Sequence, residues 1–202
     1  MNEEMVLGVP RQLLDDLGIG QGFHFNINIW LNSLLDPKNS YFRPRTEAEQ
    51  DRSFKQIIPY VLIKKGNTFL HYVRGRASGE KRLVRKGSIG VGGHINPIDD
   101  SLFNRGTQFY EAALQRELSE ELKMDGAFQT QILALVNDDS SSVGQVHLGI
   151  VHLCQLDNLQ VTKREGCITH LRFLTLEQIG RRRQQLESWS QFCFDYLLES
   201  GL

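Results

Sequence analysis

Three glutamates near the middle of the chain have the residue type and spacing of a metal site. On a helix that turns by about 100° per residue, Glu117, Glu120 and Glu121 fall within an arc of about 100°, beside a stripe of leucines. Like charges at these spacings repel by roughly a few tenths of a kcal/mol per pair, and Arg116 offsets only part of this. Carboxylates fixed on a helix suit Mg²⁺, which takes hard oxygen ligands and is commonly shared with substrate phosphates. Taken alone, the pattern is more typical of a solvated amphipathic helix.

A glycine-rich segment precedes the acidic helix. Gly90, Gly92 and Gly93 allow the backbone to approach a ligand closely and leave amides or carbonyls free to face a metal or a phosphate. An ordinary turn is the alternative for such a cluster. We expect His94, which follows the glycine pair, either to contact a phosphate or to be a structural histidine of the turn. The position of the segment between a predicted strand and the acidic helix favours a ligand site.

A basic stretch lies upstream of these glycines. Between residues 64 and 86, eight cations accompany one acid, Glu80. The cations are Lys64, Lys65, Arg74, Arg76, Lys81, Arg82, Arg85 and Lys86. A basic surface beside an acidic metal site suits a polyphosphate, and a solvated hairpin face is the alternative. Arg82 and Arg85 are our candidates for substrate binding, together with Gly93 and His94.

These motifs resemble the signature of the Nudix hydrolases, the MutT-like pyrophosphohydrolases. That signature is Gly, five residues, Glu, seven residues, then Arg-Glu-U-x-Glu-Glu-x-Gly-U, where U is aliphatic. The segment Arg116-Glu117-Leu118-Ser119-Glu120-Glu121 matches its second half, and Gly92-Gly93-His94 resembles the glycine pair that opens it. The chain departs from the signature at Gln108, eight positions before Arg116, where the family has Glu, and at Lys123, where it has Gly. The loop that leads to the helix is about nine residues longer than usual.

The resemblance covers roughly residues 55 to 200 and leaves residues 1 to 54 outside. Four segments are also similar to an uncharacterised branch of the family, known only as predicted phosphoesterases. They are Gln56-Ile57-Ile58-Pro59-Tyr60, Gly90-Val91-Gly92-Gly93-His94, Gly144-Gln145-Val146-His147-Leu148-Gly149 and Leu186-Glu187-Ser188-Trp189-Ser190. This branch implies no particular substrate.

The resemblance implies a Nudix-type α/β/α sandwich with a mixed β-sheet. It also implies hydrolysis of a nucleoside diphosphate linked to another group, by attack of water on phosphorus with Mg²⁺ or Mn²⁺. Such metals polarise the phosphate and lower the pKa of water. The implied metal ligands are Glu117, Glu120, Glu121 and a carbonyl of Gly92 or Gly93, and Arg116 would orient the carboxylates by ion pairing.

The general base is less defined by the resemblance, because relatives take it from the signature or from a later loop. Glu165, in Lys163-Arg164-Glu165-Gly166, is our candidate in a later loop, and a surface glutamate beside two cations is the alternative. In the family, a Glu at the position of Gln108 supports the arginine and the metal shell. A glutamine can form hydrogen bonds there but carries no charge.

Two other functions compete with pyrophosphate hydrolysis. The isopentenyl diphosphate isomerases share the fold, but they need a cysteine near the glycine region. All three cysteines of this chain, Cys154, Cys167 and Cys193, come after residue 150, which disfavours the isomerase. A Nudix-like module that binds a nucleotide or a protein without hydrolysis is the second alternative.

The order of predicted elements indicates a mixed α/β domain. We expect a short helix at 10–14, a hairpin of strands at 57–63 and 67–73, and the acidic helix at about 109–123. Strands at 127–136, 143–156 and 168–174 follow, and helices at 176–183 and 186–198 end the chain. The predicted Nudix domain spans residues 55 to 202, and residues 1 to 54 form an N-terminal extension.

Composition narrows the class of protein further. The chain has 202 residues, 40% of them hydrophobic, and a net charge of −1, which excludes disorder and fibres and gives no global signal for nucleic acid or anionic membrane. Without a signal peptide or a spanning apolar run, we expect a cytoplasmic protein that acts on a phosphorylated small molecule. The apolar Phe23, Phe25 and Trp30 of the extension predict packing on the main domain or, in a homodimer, on a second subunit.

Overall fold

The computed structural model describes residues 3–25, 27–75, 80–99, 108–124, 128–156, 160–164 and 168–201. The strands are β1 (Met5–Pro10), β2 (Gly22–His24), β3 (Tyr41–Pro44), β4 (Phe54–Lys65), β5 (Thr68–Arg74), β6 (Gly87–Ser88), β7 (Gly90–Gly92), β8 (Leu122–Met124), β9 (Thr130–Asn137), β10 (His147–Leu156), β11 (Val161–Lys163) and β12 (Ile168–Thr175). The α-helices are α1 (Arg11–Asp16), α2 (Asn28–Leu34), α3 (Arg45–Ala48), α4 (Gln108–Glu121), α5 (Leu176–Gly180) and α6 (Ser188–Ser200). The predicted mixed α/β class is confirmed.

The chain forms two compact units, and each draws on three separate stretches. The first unit comprises Met1–Pro59, Gly92–Glu117 and Ile132–Val151, and the second comprises Tyr60–Val91, Leu118–Gln131 and His152–Leu202. The boundaries fall inside β4, α4, β9 and β10, so these elements contribute residues to both units.

The first unit is built on the strand order β4-β10-β9-β2. Strand β1 pairs antiparallel with both β3 and the start of β4, where Gly8 lies opposite Gln56. Strand β2 pairs antiparallel with β9. Buried residues of β1 and α1, including Val6, Val9 and Leu14, contribute to the core. Residues 1–54 therefore supply strands to this unit, while their treatment as a separate extension stays a prediction.

The second unit has the strand order β12-β5-β4, with β6 paired to β5. The predicted hairpin is confirmed, because Lys64 lies opposite Phe69 and Lys65 opposite Thr68. Helix α6 buries Trp189, Cys193, Phe194 and Leu197, as its apolar spacing predicts. Thr175 caps α5 through a reciprocal hydrogen-bond pair with Gln178.

Helix α4 ends two residues earlier than predicted. Leu122–Met124 instead forms β8, which pairs antiparallel with β11. The backbone N–H of Arg164 donates to the Glu121 carbonyl at 2.9 Å, so a neighbouring segment occupies an acceptor at the helix end. Tertiary pairing thus overrides the helical propensity of the sequence here.

Two of the cysteines, Cys154 and Cys193, are buried free thiols. Cys167 lies outside the described residues. Within the described part of the chain, no helix is long and apolar enough to cross a membrane.

Candidate active site

An ion pair between Arg116 and Asp99 organises the first unit at the start of the acidic motif. The Nε of Arg116 donates to Asp99 Oδ1 at 2.8 Å and its Nη2 donates to Oδ2 at 2.9 Å. The same Nη2 donates to the His94 carbonyl at 2.8 Å. Asp99 is buried, and it also accepts the backbone N–H of Asn96 at 2.8 Å. The hydrogen bond to Asp99 is the main cause of the raised pKa of the guanidinium, and the paired contact fixes the plane of the group.

Glu117 lies directly against Gly93. Its Oε1 accepts a hydrogen bond from Arg116 Nη1 at 2.7 Å, and 15% of its side chain is exposed. A Cβ at Gly93 would overlap the Glu117 carboxylate, so any side chain there would displace it. Glycine is needed at this position because the carboxylate and the backbone approach closely.

Asp99 corrects our alignment of the signature. Spacing from Arg116 predicts Gln108 at the position of the signature acid, but Asp99 follows Gly93 after five residues and is the acid that holds the arginine. Sixteen residues separate Asp99 from Arg116, instead of the seven of the signature, so the nine extra residues follow the acid. Counting forward from Gly93 would have found this residue. Gln108 begins α4 and is exposed.

The remaining acids of the motif lie one turn further along α4. Glu120 is exposed and Glu121 is partly exposed. Both side chains therefore reach solvent from the helix that holds Glu117. Carboxylate oxygens are suitable ligands for Mg²⁺ or Mn²⁺. Gly92 ends β7, immediately before the glycine against which Glu117 lies.

A second group of potential metal ligands contains His94 and His147, which were not predicted to be catalytic. Ligand atoms of Glu49, His94 and His147 all lie within 4.8 Å of one another. The Nδ1 of His147 is 2.8 Å from the Val143 carbonyl, and His94 Nε2 is buried without a hydrogen-bond partner among the described residues. Burial, followed by the charge of Arg45, lowers the pKa of His94. Two imidazoles and a carboxylate suit a transition metal better than Mg²⁺.

Sequence reasoning missed this histidine group because its members come from distant segments. Glu49 lies just after α3, His94 follows the glycines, and His147 begins β10. No spacing motif links them. Only their proximity in the fold identifies them as a group.

The predicted substrate arginines belong to the second unit and differ from each other. Arg82 donates from Nε to Glu80 at 2.8 Å and from Nη2 at 2.5 Å, so its charge is already neutralised. Arg85 adopts a left-handed backbone with φ of 69°. Arg76 and the predicted base Glu165 lie outside the described residues.

The segments of the phosphoesterase branch meet in a buried network of the second unit. The Tyr60 hydroxyl donates to Glu187 at 2.5 Å and lies 3.1 Å from Ser88 Oγ and 2.7 Å from Ser190 Oγ. A Cβ at Gly90 would overlap the Tyr60 ring. Burial first, and then the charge of Glu187, raises the pKa of Tyr60. This network is structural, because all its polar groups are buried and partnered.

The remaining branch segment anchors a buried lysine in the first unit. Lys55 is fully buried, and its ammonium donates to the Gly144 carbonyl at 2.5 Å, to Asn137 at 2.8 Å and to Asp139 at 2.6 Å. Burial lowers the pKa of Lys55, and the hydrogen bond to Asp139 opposes this. The lysine therefore holds the loop between β9 and β10.

Comparison with known proteins finds a protein of similar sequence and several solved structures of similar fold. No protein-family model matches the chain. Protein YmaB of Bacillus subtilis (strain 168) is 38% identical over 161 residues, which is 76% of this chain and 76% of YmaB.

Two of the similar solved structures illustrate the likeness. The crystal structure of Tm1382, a protein assigned to the Nudix hydrolases, has a TM-score of 0.74 and 27% identity, and the match covers 97% of this chain and 99% of that one. A bifunctional NMN adenylyltransferase/ADP ribose pyrophosphatase of Francisella tularensis, solved with AMP and a manganese ion, has a TM-score of 0.50 and 15% identity, over 72% of this chain and 42% of that one. The second likeness supports the fold alone. On the likeness to YmaB and to nearly the full length of Tm1382, the chain belongs to the Nudix hydrolase family.

Proposed function

We propose that this protein is a divalent-metal-dependent pyrophosphohydrolase. It cleaves a pyrophosphate bond in a substrate of the nucleoside diphosphate type by attack of water on phosphorus. The observation that supports this most is the position of Arg116, which Asp99 and the His94 carbonyl hold beside Glu117. These contacts support a signature that functions as one site although nine extra residues interrupt it.

The donor set fits a divalent cation. Glu117, Glu120, Glu121 and a carbonyl of Gly92 are the ligands we propose, all of them oxygen donors that suit Mg²⁺ or Mn²⁺. Absence of a side chain at Gly93 leaves the Glu117 carboxylate in place against the backbone. When bound, the cation polarises the phosphate and lowers the pKa of water.

The residues of the chain itself supply positioning and charge. Arg116 orients the Glu117 carboxylate through its ion pair, and Asp99 prevents rotation of the guanidinium. We propose that the backbone of Gly93 and the His94 side chain contact the substrate phosphate. Arg85 is favoured over Arg82 as a further substrate contact, since Glu80 neutralises Arg82. Glu165 remains our candidate for the base.

A phosphate-release screen tests the function. Nucleoside diphosphate sugars, dinucleoside polyphosphates, NADH, CoA and damaged nucleoside triphosphates are incubated with Mg²⁺ or Mn²⁺. We expect turnover of at least one compound, which Glu120→Gln and chelation abolish. Glu111→Gln is the matched control, because Glu111 is also an exposed glutamate of α4 but lies outside the motif. Turnover that survives chelation or Glu120→Gln would contradict the metal-helix mechanism.

The binding-module alternative makes a different prediction in the same screen. It requires no turnover on any compound, together with tight binding of a nucleotide that does not depend on metal. Asp99 weakens this alternative, because it binds Arg116 as the signature acid is expected to do. The glutamine at position 108 therefore does not argue against hydrolysis.

Assembly and location are separate hypotheses. We propose a homodimer in the cytoplasm, formed through the N-terminal aromatics, of which Phe25 is 50% exposed. Trp30 forms a hydrogen bond within its own chain, because its indole N–H donates to the Leu17 carbonyl at 3.1 Å. A monomer in light scattering of the full-length protein would contradict the dimer.

A further inference from the structure

A basic cavity lies entirely within the second unit. Its volume is about 340 Å³. The lining residues that matter are His71, Arg85, Gly87, His170, Arg172 and Arg182. His71 and Gly87 are its buried members, whereas Arg85, His170 and Arg172 are exposed at its rim. None of the described lining residues is acidic.

The positive charge of the cavity is not neutralised within the described part of the protein. Arg85, Arg172 and Arg182 form no ion pair with a described carboxylate, whereas neighbouring Arg181 pairs with Glu177 at 2.6 Å and Arg183 with Asp195 at 2.5 Å. Carboxylates are therefore available nearby but do not reach the cavity. Like charges held around one space repel, and an anion bound between them would relieve this cost.

His71 adds a buried hydrogen-bonding group that faces this charge. Its residue surface is 5% exposed, and its Nδ1 has no hydrogen-bond partner among the described residues. Arg172 lies directly opposite it in the pairing of β12 with β5. Burial first, and then the charges of Arg182 and Arg172, lowers the pKa of His71 to about 4. A neutral imidazole without a protein partner can donate its N–H to an anionic oxygen.

The backbone is unusual at two points of the lining. Arg85 and His170 have φ of 69° and 52°, and they are the described non-glycine residues with positive φ. His170 lies in an irregularity of the β12 pairing between Thr169 and Arg172. Left-handed backbone at bulky residues costs free energy, and bulges re-aim side chains near functional sites. Both deviations therefore occur where they present basic side chains to one cavity.

We propose that this cavity binds a phosphate group of a small phosphorylated ligand. Planar guanidinium groups donate paired hydrogen bonds that match phosphate oxygens, and three of them line the cavity. Its volume is within the usual range for small-molecule sites, which leaves room for an organic group beside the phosphate. The proposal uses none of the acids of α4 and shares only Arg85 with the substrate contacts proposed above, so its test in metal-free buffer is separate from the test of hydrolysis.

Binding of inorganic phosphate and pyrophosphate to the full-length protein tests the site. Calorimetry and NMR of the histidine rings are done in metal-free buffer, so that metal-bound phosphate does not contribute. We expect saturable binding that shifts the His71 and His170 signals. Arg172→Gln and Arg182→Gln should each weaken it by about tenfold or more, the loss of one charge-assisted hydrogen bond.

Arg181→Gln is the matched control. It removes the same charge from the residue beside Arg182, but Arg181 is 71% exposed and paired with Glu177. We expect it to bind phosphate as the unmodified protein does, and circular dichroism verifies that all variants are folded. Absence of saturable binding, or equal weakening by Arg181→Gln, would overturn the proposal.

Two sources of the phosphate are distinguished by competition. If the group belongs to a nucleotide, ADP displaces pyrophosphate, adenosine does not, and Arg172→Gln weakens ADP binding. If it belongs to a separate ligand, ADP leaves pyrophosphate binding unchanged. Either result is compatible with a phosphate site, and each assigns it a different ligand.

Discussion

Arg116 of the first unit and the cavity arginines of the second unit are held in opposite ways. In the first unit, Arg116 donates to Asp99, Glu117 and the His94 carbonyl, all between 2.7 and 2.9 Å. In the second unit, Arg172 and Arg182 line a cavity and form no ion pair with any described carboxylate.

The difference in pairing indicates two roles for an arginine. A paired arginine positions other groups, and an unpaired arginine can bind a ligand. A guanidinium bound on several sides is rigid and can fix the carboxylate beside it, but it has little capacity left for an external anion. A guanidinium without an internal anion retains more of its donors for a ligand, at a cost in electrostatic repulsion. Arg182 uses Nη1 on the Gln178 carbonyl at 2.7 Å and keeps its other donors. Four predictions test this difference, and they are given from the largest expected effect to the smallest.

Gly93→Ala should have the largest effect on activity. Its methyl group would overlap the Glu117 carboxylate, and we expect kcat to fall by about 100-fold, as for a displacement of about 1 Å in a catalytic group. Steady-state kinetics on the substrate found in the screen measures this. Gly20→Ala is the control, because no atom of a described residue beyond its chain neighbours lies within 4 Å of a Cβ there. Unchanged kcat in Gly93→Ala would show that the position of Glu117 does not matter.

Asp99→Ala should destabilise the first unit. It leaves Arg116, whose side chain is 23% exposed, without its bidentate partner. We expect a loss of about 2–3 kcal/mol in the free energy of unfolding, below the full value for a buried pair because the arginine keeps some contact with water. Urea denaturation measures the loss. Asp99→Glu, the acid of the family signature, should recover part of it, and a stability as low as that of Asp99→Ala would contradict this role.

The cavity should make stability depend on pH through His71. The pKa of His71 is about 4 in the folded state, below the ordinary value of 6.5. Between pH 6.5 and 4, the unfolded state therefore binds more protons than the folded state, and the free energy of unfolding falls as the pH falls. Between pH 6.5 and 5, we expect His71→Gln to remove about 1–2 kcal/mol of this dependence. Urea denaturation at both pH values is the measurement. An identical pH dependence in the variant would contradict the low pKa.

Arg172→Gln should have the smallest effect on stability. Because no described carboxylate is paired with Arg172, its removal should change the free energy of unfolding by less than about 0.5 kcal/mol. A slight increase at low salt is the expected sign, since repulsion with Arg182 and Arg85 is relieved. Thermal denaturation at low and high salt measures it. A loss of several kcal/mol would mean that Arg172 is a structural residue like Arg116.

Local patterns were sufficient to predict the longest elements, whereas the short strands β1, β2 and β3 were not predicted. The hairpin of β4 and β5, helix α4 and helix α6 follow from turn residues and apolar spacing. The end of α4 was wrong by two residues, because β11 pairs with β8 and this contact is not encoded locally. The resemblance to a known signature also predicts that the glycines, Arg116 and Glu117 belong to one site.

The sequence by itself determined the family, the acidic face of α4 and the need for glycine before it, since each depends on residues close together in the chain. Only the tertiary structure decided which acid holds Arg116, because Asp99 and the arginine are separated by an insertion that obscures their register. It also decided which cations form no ion pair with a described carboxylate. The basic segment at 64–86 looks uniform in sequence, yet Arg82 pairs with Glu80 while Arg85 joins Arg172, nearly ninety residues away, around one cavity. Charge neutralisation depends on distance in space, and spacing along the chain does not determine that distance.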